Sequence, residues 1–195
     1  MTIPKIGIIL STTREGRFAD KPAAWLQDLV ASRTDLSFEL VDLRDYPLPM
    51  YDWPSSPVRM PIDLPDVIAW RNKVASLDGF IFITAEYNHS IPAVLKNAID
   101  HVFIEWQRKP AAFVGYGNAG GARAIEHLRS IIIELQMAPM RVAVHIHRDA
   151  MLPVMQQGKS LSEFQYIADH AKLMLDDLSW WAWTLKAGRE APPRA

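Results

Sequence analysis

The stretch Gly79-Phe80-Ile81-Phe82-Ile83-Thr84-Ala85-Glu86-Tyr87-Asn88-His89-Ser90-Ile91-Pro92 decides the fold. An unbroken apolar run gives way to a polar loop, and Pro92 then opens a helix. Ile91, Val94, Leu95, Ala98, Ile99, Val102 and Phe103 carry that helix at i, i+3, i+4 spacing. A strand that is apolar throughout, instead of alternating, is buried on both faces, as in a parallel sheet covered by helices.

Working outward, the same strand-then-helix unit repeats. Toward the amino end, Ile6 to Leu10 reads as a buried strand, 20–32 as a helix, 36–43 as a second strand and 66–76 as a helix. Toward the carboxyl end, 111–116 reads as a strand, 122–136 as a helix and 140–146 as a strand. A last helix carries Leu161, Phe164, Ile167, Ala171, Leu175, Leu178 and Leu185 on one face. Five strands alternating with five helices predict an α/β sandwich with helices on both faces of a parallel sheet. Residues 1–187 read as a single domain, and the polar, proline-containing 188–195 as a disordered tail.

Composition excludes several classes of function. Lys+Arg 21 against Asp+Glu 22 leaves a net charge of −1, without the basic excess of a dedicated nucleic-acid binder. Cys is 0, which excludes disulfides, thiolate metal ligands and a cysteine nucleophile. The Ile6–Leu10 run is too short for a signal peptide, and no run reaches membrane-spanning length. The expectation is a soluble, cytoplasmic protein with no membrane and no nucleic-acid partner.

Between Arg44 and Pro65 lie six of the 14 prolines, so a long, stiff surface loop is expected. Its Tyr46, Tyr51 and Trp53 suit either the lip of a pocket or packing against the domain's own flank.

In a doubly wound sheet the ligand lies beyond the carboxyl ends of the strands. Three loops there carry chemistry. Ser11-Thr12-Thr13-Arg14-Glu15-Gly16-Arg17 runs into a helix and combines backbone amides, hydroxyls and two guanidiniums, the donor set of an anion site. The plainer reading is a capping loop with two solvated arginines. Thr84 to Pro92 offers polar side chains and unpaired amides to a planar heterocycle. Tyr116-Gly117-Asn118-Ala119-Gly120-Gly121 supplies glycines that let backbone approach a flat ligand. Gly115 to Gly120 also matches GxGxxG, but after the fourth strand and with no acidic residue closing the next, so a Rossmann dinucleotide site is rejected. No Walker motif is present.

These three loops resemble those of the NAD(P)H-dependent FMN reductases, the flavodoxin-like branch that includes quinone, azo and chromate reductases. Ser11-Thr12-Thr13-Arg14-Glu15-Gly16-Arg17 is similar to the family's Gly-Ser-x-Arg-x-x-Arg/Ser loop. Ala85-Glu86-Tyr87-Asn88 with Pro92 to Asp100 resembles Pro-Glu-Tyr-Asn followed by Pro-x-x-Leu-Lys-Asn-Ala-x-Asp. Gly120-Gly121-Ala122-Arg123-Ala124 resembles Gly-Gly-x-Arg-Ala. Ser11 stands where the family usually has glycine, and Ala85 where it has proline.

The resemblance implies a flavodoxin-like three-layer sandwich with sheet order 2-1-3-4-5. It implies FMN as cofactor and NAD(P)H as electron donor, in a ping-pong transfer to quinones, free flavin or similar small acceptors. On it, Thr12, Thr13, Arg14 and Arg17 hold the phosphate, and Ser11 belongs to the cofactor site as a residue that shapes the phosphate turn. Glu86, Tyr87 and Asn88 line the ribityl chain and ring, largely through backbone groups, and Gly117, Asn118, Gly120 and Gly121 meet the ring edge. It further implies a homodimer or homotetramer. Because the cofactor carries the chemistry, no catalytic side chain is required; His89 is a candidate for proton delivery or for a structural hydrogen bond.

Two other readings remain. One is a flavin-binding electron carrier or regulatory module with little turnover, which the charge of −1 disfavours against the acidic habit of such carriers. The other is an oligomeric scaffold with a degenerate site. His145, His147 and Asp149 could ligate a metal, but histidines at a sheet margin are commoner, and no metal is expected. Trp180, Trp181 and Trp183 are expected in the core or at a subunit contact.

Overall fold

A computed structural model describes residues 2–191. Six strands form one parallel sheet: β1 (Lys5–Leu10), β2 (Ser37–Asp42), β3 (Gly79–Ala85), β4 (Pro110–Tyr116), β5 (Ala138–Pro139) and β6 (Val144–Ile146). The order is β2-β1-β3-β4-β5, with β6 also pairing β4. Six helices cover it: α1 (Asp20–Val30), α2 (Pro65–Ala75), α3 (Ala93–Asp100), α4 (Ala122–Glu134), α5 (Arg148–Gln156) and α6 (Gln165–Glu190). This is the flavodoxin-like sandwich that the resemblance implies.

All seven residues of β3 and all seven of β4 are buried, which is why both read as continuous apolar runs. Alternate side chains feed two cores. Ile81 and Ile83 join Ile6, Ile8 and Leu10 under α1, α5 and α6. Phe80, Phe82 and Phe113 join Trp106, Leu95 and Leu128 under α2, α3 and α4. The outer strand β2 is only part-buried, and its Glu39 pairs with Lys5 and Lys73, charges that discourage edge-to-edge pairing.

The structure departs from the sequence reading at the carboxyl side. The expected strand 140–146 is broken: the Met140 amide still donates to the Ala111 carbonyl of β4 at 2.8 Å, then pairing lapses and resumes at Val144. Arg129 of α4 fills the break, donating to the carbonyls of Met140 (3.1 Å) and Arg141 (2.7 Å). Helix α5 is an addition to the expected elements, since Pro153 within it hides the helical signal. Leu161 and Phe164 precede the last helix: Ser160 and Glu163 form a capping box around a short 3-10 turn before α6. Helix α6 passes the expected tail start at Gly188 and runs to Glu190; 192–195 lie outside the described residues.

The proline-rich loop packs on the flank. Asn97 donates to the Pro49 carbonyl and accepts from the Tyr51 amide, both at 2.8 Å, and Tyr46 meets Trp70 edge-on. Trp180 and Trp181 are exposed, so neither belongs to the core. Trp183 donates to the Asp35 carbonyl at 3.0 Å. No described helix is long and apolar enough to cross a membrane.

Candidate functional site

Strands β1, β3 and β4 are neighbours, so the loops that leave them meet at one edge of the sheet. They are tied together. The Thr12 hydroxyl lies 3.3 Å from the Tyr116 hydroxyl, and the Glu86 amide donates to the Tyr116 carbonyl at 3.1 Å. Arg14 sits 5.7 Å over the Tyr87 ring. Burial pushes the Tyr116 phenol up to about 12, against the bond to Thr12, so it stays protonated.

In the first loop the amides of Thr12, Thr13, Arg14, Glu15 and Gly16 have no acceptor among the described residues, while a turn at Glu15–Gly16 leads into Arg17. Thr12 is itself buried, and an amide without a partner in such a place is uncommon. Ser11 is fully buried, and its hydroxyl has no partner either. Five such amides in the loop leading to the amino end of α1 are a donor set suited to a phosphate. Arg14 is exposed and has no carboxylate partner among the described residues.

Arg17 corrects the expectation of a direct phosphate ligand. Its Nε donates to Asp20 at 2.8 Å, one terminal nitrogen reaches the Thr12 carbonyl and Asp42, and the other reaches Asp42 and Asp20. A guanidinium has about five N–H donors, and the protein engages them all. The side chain is only 2% exposed, and the bond to Asp42 raises its pKa despite burial. Burial works to raise Asp42, yet the bond to Arg17 wins and holds it below the usual carboxylate value. Arg17 braces the loop from behind. Arg44 does the same from outside, donating to the carbonyls of Thr13 (3.3 Å) and Arg14 (2.8 Å).

The second loop is less open than expected. The Glu86 amide is bonded to Tyr116, and those of Tyr87 and Ser90 pair with each other's carbonyls. Of the three expected residues only Asn88 keeps an unpaired amide. The Glu86 carboxylate accepts from the Arg123 amide (3.1 Å) and Nε (2.6 Å), placing a negative charge at the amino end of α4. Arg123 also reaches His89 Nε2 at 3.2 Å; since arginine only donates, that nitrogen is the acceptor and the ring proton sits on Nδ1. Ser90 and His127 meet at 2.6 Å. Between these latches, Asn88 (φ 48) and His89 (φ 67) hold left-handed backbone, a conformation that concentrates at functional sites.

The third loop needs its glycines for two different reasons. Gly117 has a φ of +146, and a Cβ there would come no closer than 3.5 Å to any neighbouring side chain or backbone, so only its backbone conformation demands glycine. At Gly121 a Cβ would fall 2.7 Å from the backbone of Gly115, and at Gly120 it would fall 2.8 Å from the His147 ring. Those two serve packing within the protein. The exposed Asn118, with its amide and those of Ala119 and Gly121 unpaired, faces outward from the turn.

The strand-end rule, carried to the second strand as well, points to Asp42 and Arg44; the prolines that follow them mask the signal. Arg123 lies inside the Gly120–Ala124 segment, but only the structure reveals its bond to Glu86. Among the described residues, no group of three His, Asp or Glu side chains is placed to hold a metal ion.

The model of the NADPH-dependent FMN reductase family matches residues 4–150. The chain belongs to this family. An NAD(P)H-dependent FMN reductase of Schizosaccharomyces pombe is 36% identical over 172 residues, covering 83% of this chain and 86% of that protein. A 2-hydroxy-1,4-benzoquinone reductase of a Burkholderia species is 35% identical over 70% of this chain and 74% of its own length. In structure, the flavoenzyme NAD(P)H:(acceptor) oxidoreductase FerB of Paracoccus denitrificans superposes with a TM-score of 0.71, covering 93% of this chain and 98% of that one, at 21% identity. As a member of the FMN reductase family the chain is an oxidoreductase, with FMN as cofactor and NAD(P)H as electron donor.

Proposed function

We propose that FMN binds across the three loops, with its phosphate in the Thr12–Gly16 amide cradle. The unpaired amides beside Arg14 are the observation that carries this reading. Thr13 and Arg14 supply side-chain donors to the phosphate, while Ser11, Thr12 and Arg17 shape the cradle from within. Asn88 and the unpaired amides of Asn118, Ala119 and Gly121 line the flavin, and Glu86 keeps the second loop against α4.

When bound, FMN would supply the redox chemistry, a hydride from NAD(P)H and then electrons to a second acceptor in a ping-pong order. The chain's own part is to bind, orient and shield. Quinones, free flavin or similar acceptors fit an exposed Tyr87 beside Arg14, and the benzoquinone reductase relative supports that class. His89, steered by Arg123, is the side chain placed to assist a proton transfer.

A homodimer or homotetramer in the cytoplasm completes the proposal. A cavity of about 370 Å³ lined by Tyr51, Pro57, Ile99, Phe103, Ile131 and Leu135 gives α3 and α4 an apolar surface for a second subunit. Visible spectroscopy of the purified protein, with NADPH added anaerobically and a quinone after it, tests the function. Bleaching on NADPH and recovery on quinone are expected. A colourless protein that takes up no FMN and oxidises no NADPH contradicts the proposal, and bleaching without turnover identifies an electron carrier.

A further inference from the structure

The edge formed by β6 and the start of α5 carries two histidines that the flavin site does not itself use. His145 Nδ1 lies 3.0 Å from the Gly120 carbonyl. A carbonyl only accepts, so Nδ1 carries the proton and donates. The His147 ring packs against the same residue, so close that a Cβ on Gly120 would lie 2.8 Å from its Cε1. The strand below is joined to the loop as well, since the Gly117 amide donates to the Ile146 carbonyl at 3.3 Å. Burial lowers the His145 pKa, the bond to Gly120 works against it, and His147, Arg129 and His170 nearby lower it further.

The Gly120 carbonyl and the Gly121 amide share one peptide plane, and in a trans peptide they point in opposite directions. Fixing the carbonyl on His145 therefore aims the Gly121 N–H away from β6. That amide has no acceptor among the described residues. Both residues are glycines at positive φ, +63 and +70, so no side chain resists rotation of this peptide. The peptides on either side are held by Gly120 N–H to Gly117, Ala122 N–H to Ala119 and Ile125 N–H to Gly121, and among the described residues His145 is the side chain that bonds the Gly120–Gly121 peptide itself.

We infer that His145 is a positioning residue: by holding the Gly120–Gly121 peptide, it keeps the Gly121 N–H available as a donor to the bound flavin. This rests on the FMN reading of the site, but the latch itself exists without flavin, so the two are tested separately.

His145→Leu removes the donor at similar volume, and His145→Asn returns an N–H near the position of Nδ1. In flavin-free protein, hydrogen exchange of the 117–121 amides should speed up in His145→Leu and return toward wild type in His145→Asn. Fluorescence titration should show the FMN Kd rising about five- to tenfold in the leucine variant, the worth of one ordinary hydrogen bond, and recovering with asparagine. The imidazole nitrogen resonances of the wild type should show a protonated Nδ1, a readout that does not depend on any variant folding. A bare Nδ1, unchanged exchange and Kd in His145→Leu, or no recovery in His145→Asn overturns the inference. A wild type that binds no FMN removes the flavin proposal, and the exchange and resonance measurements then judge the latch alone.

Discussion

The two ends of the sheet are built from similar residues and behave in opposite ways. At the amino end, Asp78 accepts from the Lys5 amide (3.0 Å), Lys186 (2.7 Å) and Arg189 (2.7 Å). Lys109 donates to the last carbonyls of α2, Val74 (2.8 Å) and Ala75 (3.3 Å), where a cation suits the helix dipole. Charges there join helix α6 to the strands and are satisfied by one another. At the carboxyl end, the Arg17 guanidinium is fully engaged, but a run of amides, Arg14 and the Ser11 hydroxyl are left without carboxylate or carbonyl partners among the described residues. Charge does not mark the site; unpaired donors held in place by paired ones do.

Substitutions sharpen that contrast. Arg17→Ala removes a brace and leaves Asp42 without its partner, and should cost about 3 kcal/mol in urea unfolding, as for a broken buried pair. Gly121→Ala adds a Cβ against the Gly115 backbone at a φ of +70, and should cost about 2–3 kcal/mol from overpacking and strain. Gly16→Ala has a similar φ of +63 but open space, so its cost should be only about 1 kcal/mol. Equal losses at Gly16 and Gly121 would mean that the third loop is not held by its own packing.

Arg14→Ala should leave the unfolding curve of flavin-free protein unchanged while weakening FMN about tenfold to thirtyfold, the worth of a charge-assisted hydrogen bond. The closed end carries an effect that depends on pH. Burial lowers the Lys109 ammonium from 10.5 to about 8, so the unfolded chain binds this proton more tightly than the folded one. Stability is therefore lost as pH falls from the unfolded value toward 8, and regained on raising it. Lys109→Met should remove that slope from the difference between stabilities at pH 8 and pH 10. An identical slope in both chains would show that Lys109 is not the group responsible.

Much of this architecture is legible in the amino-acid sequence. Continuous apolar runs at Ile6–Leu10, Gly79–Thr84 and Ala111–Tyr116 announce a parallel sheet, because only strands covered on both faces lack alternation. The same runs place the three loops, since each loop begins where a run ends. The break between Met140 and Val144 is not legible, and neither is the helix around Pro153, since proline reads as an end even where tertiary contacts allow it inside. Partner choice is the harder part. Arg14 and Arg17 look equivalent in sequence; Asp42, brought alongside by strand pairing, together with Asp20 makes one a brace and leaves the other available. Glu86 is expected at the flavin largely through its backbone, and the partner of its carboxylate, Arg123, is distant in sequence.

The central claim is that the unpaired donors of the Thr12–Arg17 loop hold the phosphate of FMN. Titrating flavin-free protein with FMN and with riboflavin, which differ by that phosphate alone, tests it most directly. FMN should bind about a hundredfold more tightly, a gap that several charge-assisted hydrogen bonds supply, and Arg14→Ala should narrow it. Equal affinity for the two flavins would contradict the account.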